Sequence, residues 1–162
     1  MSIPSAIGVD LDTKRVTIAH KATDDRGWTK WVTQQADAQD LESVKAIFAS
    51  AMTHGCDSAA IEKPFLGINP KTYGALMLVY GLVEEACKQL RIKHIGVEPS
   101  KWQRGMLTIN GHYENNRKEL TRRSAYVAQR GLGANEDCDE HENDAVCISE
   151  WASTMAALED AE

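Results

Sequence analysis

The chain has 162 residues and no run of about 18 apolar residues, so no membrane-spanning helix is expected. Its start, MSIPSAIGVD, lacks a basic segment and an apolar centre, and no secretory signal is expected. The cysteines, Cys56, Cys87, Cys138 and Cys147, form no CxxC pair. That spacing argues against a zinc site and for free thiols in a reducing cytosol. Internal repeats, low-complexity stretches and linkers are absent too. One domain over residues 1–162 is expected, with a frayed, disordered tail at 159–162. At this length a domain buries roughly 68–70% of its unfolded surface.

Lys and Arg are absent after Arg130. Residues 136–162 carry ten carboxylates and no Lys or Arg, a net −10, whereas residues 91–130 carry nine Lys and Arg against three Glu, a net +6. The whole chain is at −6, which by itself disfavours a nucleic-acid partner. The segregation reads in two ways. It describes two solvated helix faces of opposite sign, or a phosphate-binding face beside a metal site.

SAIGVDLD (5–12), KRVTIAHKA (14–22) and GWTKWVTQQ (27–35) read as a three-stranded antiparallel meander, with turns at Thr13-Lys14 and Asp24 to Gly27. DLESVKAIFASAMTHG places Leu41, Val44, Ile47, Phe48 and Ala51 on one helical face, and Gly55 stops the helix. SAAIEKP (58–64) reads as a buried strand, 71–90 as a long apolar helix, 93–99 as a fifth strand and 100–107 as a short helix. A helix with a basic face follows over 114–132, then a loop over 135–142 and a last helix over 143–158. The order βββ-α-β-α-β-α-α-α predicts a mixed α/β sheet with helices packed on it. Trp28 and Trp31 fall on opposite faces of one strand.

Five residues carry potential chemistry. Asp10 and Asp12 lie at the end of the first strand and point to one side. Glu62 ends the fourth strand. If strands one and four are neighbours, Asp10 and Glu62 meet. His141 and Asp144 share a face at the start of the last helix. A cluster of oxygen ligands without cysteine suits Mg2+ or Mn2+, and two such ions can support phosphodiester hydrolysis. Plainer readings stand beside each. Asp10 closes a turn with Asp12, Glu62 pairs with Lys63, Asn143 is an N-cap, and Glu140 and Glu142 complement the helix dipole.

IGVDLD (7–12), AAIEKPF (59–65) and HENDAV (141–146) resemble the three active-site segments of the RuvC-type Holliday junction resolvases, in the RNase H-like superfamily. The resemblance spans roughly residues 5–155. It implies an RNase H-like fold with a mixed five-stranded sheet flanked by helices. It also implies a metal-dependent endonuclease that resolves four-way and other branched DNA by symmetric cuts. Asp10, Glu62, His141 and Asp144 would be catalytic metal ligands for Mg2+, with Mn2+ as a substitute. Phe65 would stack on a base at the junction point. Lys118, with Lys101 or Arg104, would contact the scissile phosphate, and Arg117, Arg122 and Arg123 would bind junction arms. The helix at 71–90, through Gly74, Ala75 and Gly81, would form the dyad interface of a homodimer. The family's Asp-Pro-Gly is here Asp10-Leu11-Asp12, which leaves Asp12 as a further ligand or as no ligand. The compact chain looks like phage-encoded members acting in a bacterial cytoplasm. A nuclease for RNA–DNA hybrids or flaps, and a non-catalytic branched-DNA-binding module, are the rival readings.

Overall fold

A computed structural model describes residues 5–65, 67 and 69–161, with side chains through residue 156. Eleven described elements follow in order: strands β1 (Ser5–Leu11), β2 (Arg15–Thr23) and β3 (Thr29–Asp37), helix α1 (Leu41–Thr53), strand β4 (Cys56–Glu62), helix α2 (Pro70–Leu90), strand β5 (Lys93–Val97), helices α3 (Pro99–Leu107) and α4 (Arg117–Ala125), a π-helical turn (Tyr126–Gly131) and helix α5 (Glu140–Ala161). The sheet order is β3-β2-β1-β4-β5. β1 pairs antiparallel with β2 and parallel with β4, and β4 pairs parallel with β5.

Alternation along β1 assigns its residues to two cores. Ile7 and Val9 face α1 and α2, in a core with Val44, Phe48, Val79 and Val83. Ala6 faces the other way, into a core with Ala19, Ala60, Trp102 and the apolar side of α5. Asp10 follows the parity of Ala6, and Glu62 that of Ala60, so both carboxylates stand on the α5 face.

α5 lies very close to β1 because the sheet there is almost bare. Gly8 is paired with Ala19 on one side and Ala60 on the other, so the surface under the helix has almost no side chain. A Cβ built on Gly8 would stand 2.2 Å from the Ala145 carbonyl oxygen and 2.4 Å from the Ser149 nitrogen. Ser149 Oγ donates to the Ala6 carbonyl at 2.6 Å, and the Ala6 N–H donates to Ser153 Oγ at 2.9 Å. The helix is thereby fastened to β1 through backbone.

Helix ends use local polar side chains. Asp40, Asn69 and Asn116 accept from Ser43, Lys71 and Glu119 backbone N–H groups at the starts of α1, α2 and α4. α5 begins three residues earlier than the sequence suggested, through a reciprocal capping box. Asp139 Oδ1 accepts from the Glu142 N–H at 2.8 Å, and Glu142 Oε1 accepts from the Asp139 N–H at 3.2 Å. Asn143 is therefore no N-cap. It lies buried inside the helix and accepts from Gln129 Nε2 at 3.2 Å. The helix continues through Ala161, into the tail expected to fray, and Glu162 lies outside the described residues. Trp28 precedes β3 rather than sharing it with Trp31. It is 72% exposed, while Trp31 donates its indole N–H to the Leu132 carbonyl at 2.9 Å.

Candidate active site

β1 and β4 run parallel with Val9 opposite Ile61, so the next step brings Asp10 beside Glu62 at the C-terminal edge of the sheet. α5 crosses that edge with His141 and Asp144 on its sheet-facing side. All four groups line one groove of about 590 Å³, with Phe65, Trp102 and Arg117 also on its walls. The start of α5 is tied to β3 as well. Thr33 Oγ1 donates to Glu142, and Gln35 Nε2 donates to Asp139 Oδ2 at 3.0 Å.

Each carboxylate has one oxygen held. His141 Nδ1 lies 2.6 Å from Asp10 Oδ2. Trp102 Nε1 donates to Glu62 Oε2 at 2.5 Å, and Ser124 Oγ donates to Asp144 Oδ1 at 2.6 Å. The other oxygens, Asp10 Oδ1, Glu62 Oε1 and Asp144 Oδ2, accept no hydrogen bond from the described residues.

The electrostatics reflect this crowding. Burial, then the charge of Asp10, pushes Asp144 up to about 7. Burial, then the charges of Asp10 and Asp144, pushes Glu62 well above the usual carboxylate range. The hydrogen bond to Asp10 raises His141 to about 9, whereas burial raises Asp10 itself against the pull of His141. These two influences compete for one proton. The short contact and the partly exposed imidazole favour its residence on His141, opposite an ionised Asp10. Among the described residues the other two carboxylates have only neutral donors, so no second cation pairs with them.

Among the described residues, no three His, Cys, Asp or Glu side chains converge as a ready-made metal site. The donor chemistry nonetheless fits a hard divalent cation. It consists of three carboxylates and an imidazole with no thiolate, and three oxygens without protein partners edge the groove.

The plainer readings hold for Glu140 and Glu142, which lie in the first turn of α5, and not for Asp10 and Glu62. Asp10 makes no turn, and it is Asp12 that accepts from the Thr13 N–H, at 2.7 Å. Glu62 is not paired with Lys63, which stands 3.9 Å from Glu98. Phe65 is 60% exposed.

The basic residues divide differently from the sequence pattern. On α4, Arg117, Leu120 and Thr121 share the groove-facing side. Lys118 is rotated about 100° from Arg117, and it lines a separate depression with Glu119 and Arg122. Lys101 and Arg104 are both exposed and outside the groove, where Gln103 stands instead. Arg104 lies over the Tyr113 ring, 4.5 Å from its centroid. Arg123 is a correction. It is buried and donates to the Leu107 and His112 carbonyls at 3.0 and 2.7 Å and to Glu119 at 3.0 Å. Its Nε and Nη1 donors brace α4 against the loop after α3, and the side chain is only 8% exposed, which takes it away from a DNA-binding surface.

The comparison with solved structures decides the fold. The chain superposes on T. thermophilus RuvC in complex with a Holliday junction substrate with a TM-score of 0.69, over 96% of each chain at 13% identity. The chain has the RuvC fold. Two further RuvC-like matches are the fowlpox virus resolvase in complex with Holliday junction DNA and the yeast mitochondrial Holliday junction resolvase Ydc2. The first gives a TM-score of 0.52 at 11% identity, covering 98% of this chain and 99% of that one. The second gives 0.50 at 12%, covering 98% and 81%. No protein-family profile matches the chain. No curated protein matches it either. Within this RuvC fold, the sequence pattern pointed to the three carboxylates and His141 but missed Gly8, Trp102, Ser124 and Arg117 as the residues that place or surround them. A lone glycine in an apolar strand signals close backbone approach, and a Trp amid Lys101, Gln103 and Arg104 signals a buried indole that needs an acceptor. Ser124 gives no such signal.

Proposed function

We propose that the protein is a divalent-metal-dependent, structure-selective DNA endonuclease that resolves Holliday junctions and related branched DNA. The observation that carries this reading is the meeting of Asp10, Glu62, His141 and Asp144 in one groove, at the sheet edge of a RuvC fold. Asp10, Glu62, His141 and Asp144 would hold Mg2+, with Mn2+ as a substitute. When bound, such a cation supplies an activated water and neutralises charge on the leaving oxygen.

The chain's own residues supply the rest. Arg117, on the groove wall, would hold the phosphate and offset developing charge. Phe65, exposed at the mouth, offers a face for an unpaired base, a contact worth ~1–3 kcal/mol. Lys118 and Arg122 on the outer side of α4, with Lys101 and Arg104 on α3, form the surface for junction arms. Binding through such cations weakens steeply with salt. With Nδ1 donating to Asp10 Oδ2 the imidazole is kept oriented, and its neutral form would offer Nε2 to the cation.

Symmetric cutting needs two sites related by a dyad. A strip on α2 supports a homodimer. Met77 and Leu78 are 40% and 79% exposed there, and the space over Gly74 and Gly81 is open.

The test is cleavage of a labelled four-way junction beside a matched linear duplex and an RNA–DNA hybrid, with Mg2+ and with EDTA. The reading expects metal-dependent, paired nicks in the junction. Equal cutting of the hybrid, or binding without cutting in Mg2+ and Mn2+, overturns it.

A further inference from the structure

Glu62 and Asp144 are each held by one neutral donor, and both donors come from the same side of the groove. Trp102 is on α3 and fully buried, among Val97, Leu107 and Trp151. An indole N–H donates only, so Glu62 Oε2 must accept from it and Glu62 Oε1 is left for the groove. Ser124 is on α4, 1% exposed, with its hydroxyl between Asp144 Oδ1 and Cys147 Sγ, 3.8 Å from the sulfur. Its bond leaves Asp144 Oδ2 for the groove.

We propose that Trp102 and Ser124 are positioning residues that fix Glu62 and Asp144 with one oxygen each directed to the bound cation. The proposal rests on the groove being a metal site. Glu62, at the end of β4, and Asp144, on α5, would otherwise rotate, because neither has a cationic partner among the described residues. A clamped ring and a buried hydroxyl remove that freedom. Asp10 is held differently, by His141 from α5. The helices that carry Arg117 and the exposed cations are therefore also those that orient two of the three carboxylates. Contact of DNA with α3 and α4 bears directly on these two donors. A purely structural role would have the indole N–H and the hydroxyl satisfied by whichever acceptor was nearest, with no effect on the cation.

The test compares Trp102→Phe and Ser124→Ala with the wild-type chain. Phe keeps most of the ring and removes the N–H, and Ala removes one oxygen. Mn2+ is titrated calorimetrically into each full-length protein without DNA, and four-way junction binding is measured in EDTA. Loss of an outer donor weakens metal affinity 10–100-fold, so Mn2+ affinity falls by roughly that factor in both variants, while junction affinity in EDTA stays within about twofold. Mn2+ affinity equal to wild type overturns the proposal, whatever happens to the melting temperature. If Trp102→Phe does not fold, Ser124→Ala alone decides. A wild-type chain that takes up no Mn2+ overturns the metal reading and this proposal together. Wild-type uptake with unchanged variants overturns the positioning role only.

Discussion

Replacing Gly8 by Ala adds one methyl group at the tightest contact between α5 and the sheet. That carbon would stand 2.2 Å from the Ala145 oxygen, 2.4 Å from the Ser149 nitrogen and 2.9 Å from the Ser149 Cα. All three are backbone atoms, so no rotamer change relieves the clash. Ordinary contact distances of about 3.5 Å require α5 to lift by roughly 1 Å, or β1 to bend by as much. Overpacking of this kind costs about 1–3 kcal/mol. In a chain of this size each kcal/mol lowers the melting temperature by about 2–4 °C. The effect on activity exceeds the effect on stability, because α5 carries His141 and Asp144 whereas Asp10 and Glu62 stay with the sheet. A 1 Å misplacement of reacting groups can cost about 100-fold in rate. The assay is thermal unfolding of Gly8→Ala together with its rate of junction cleavage, with junction binding in EDTA as a check on folding. A variant with wild-type melting temperature and wild-type cleavage would refute the argument that the bare floor at Gly8 sets the geometry of the site.

Other perturbations test separate parts of the structure. His20 is buried on the α1 face with neither ring nitrogen hydrogen-bonded among the described residues, and it stacks on His54 at 5.5 Å. Burial, then the charge of His54, lowers it to about 4. Its folded value is below the ordinary 6.5, so its contribution is present above pH 6.5 and is lost as pH falls toward 4, by up to about 3 kcal/mol. Urea unfolding of wild type and His20→Leu between pH 7.5 and 4.5 should show the wild type losing more stability on acidification, and parallel curves would contradict this. Arg123→Ala should destabilise by about 2–3 kcal/mol through the stranded Leu107 and His112 carbonyls, with little change in the salt dependence of junction binding. Arg122→Ala should instead leave stability within about 0.5 kcal/mol and reduce the salt slope by about 1, as removal of a phosphate contact does. Leu78→Asp, at a position 79% exposed, should abolish dimerisation in sedimentation without lowering the stability of the monomer, and a persistent dimer would remove α2 as the interface.

Much of the site was legible because it depends on period and register. Alternation in IGVDLD and AAIEKPF puts Asp10 and Glu62 at strand ends, and the spacing of His141 and Asp144 puts them on one helix face. Strand order then needed only the pairing of β1 with β4. Tertiary choices were not legible. Arg122 and Arg123 are adjacent and chemically identical, yet one faces solvent and the other braces two carbonyls, because the loop carrying His112 folds back under α4. The choice between Arg117 and Lys118 depends on the phase of a helix that starts at the Asn116 cap and not at 114. The start of α5 was displaced for a related reason. Asp139 and Glu142 satisfy the first turn between them, a reciprocal pairing obscured by neighbouring carboxylates that are chemically equivalent. The π-helical turn at Tyr126–Gly131 left no trace in the apolar period.

Asp10 has the least exposure of the described carboxylates and is the one bound by His141. The decisive measurement is junction cleavage by wild type and Asp10→Asn, side by side in Mg2+, at concentrations where both bind the junction equally. Paired nicks are expected from the wild type and none from the variant, with binding retained. Cleavage by Asp10→Asn at the wild-type rate would place the chemistry outside the groove and contradict the assignment of Asp10, Glu62, His141 and Asp144 as its centre.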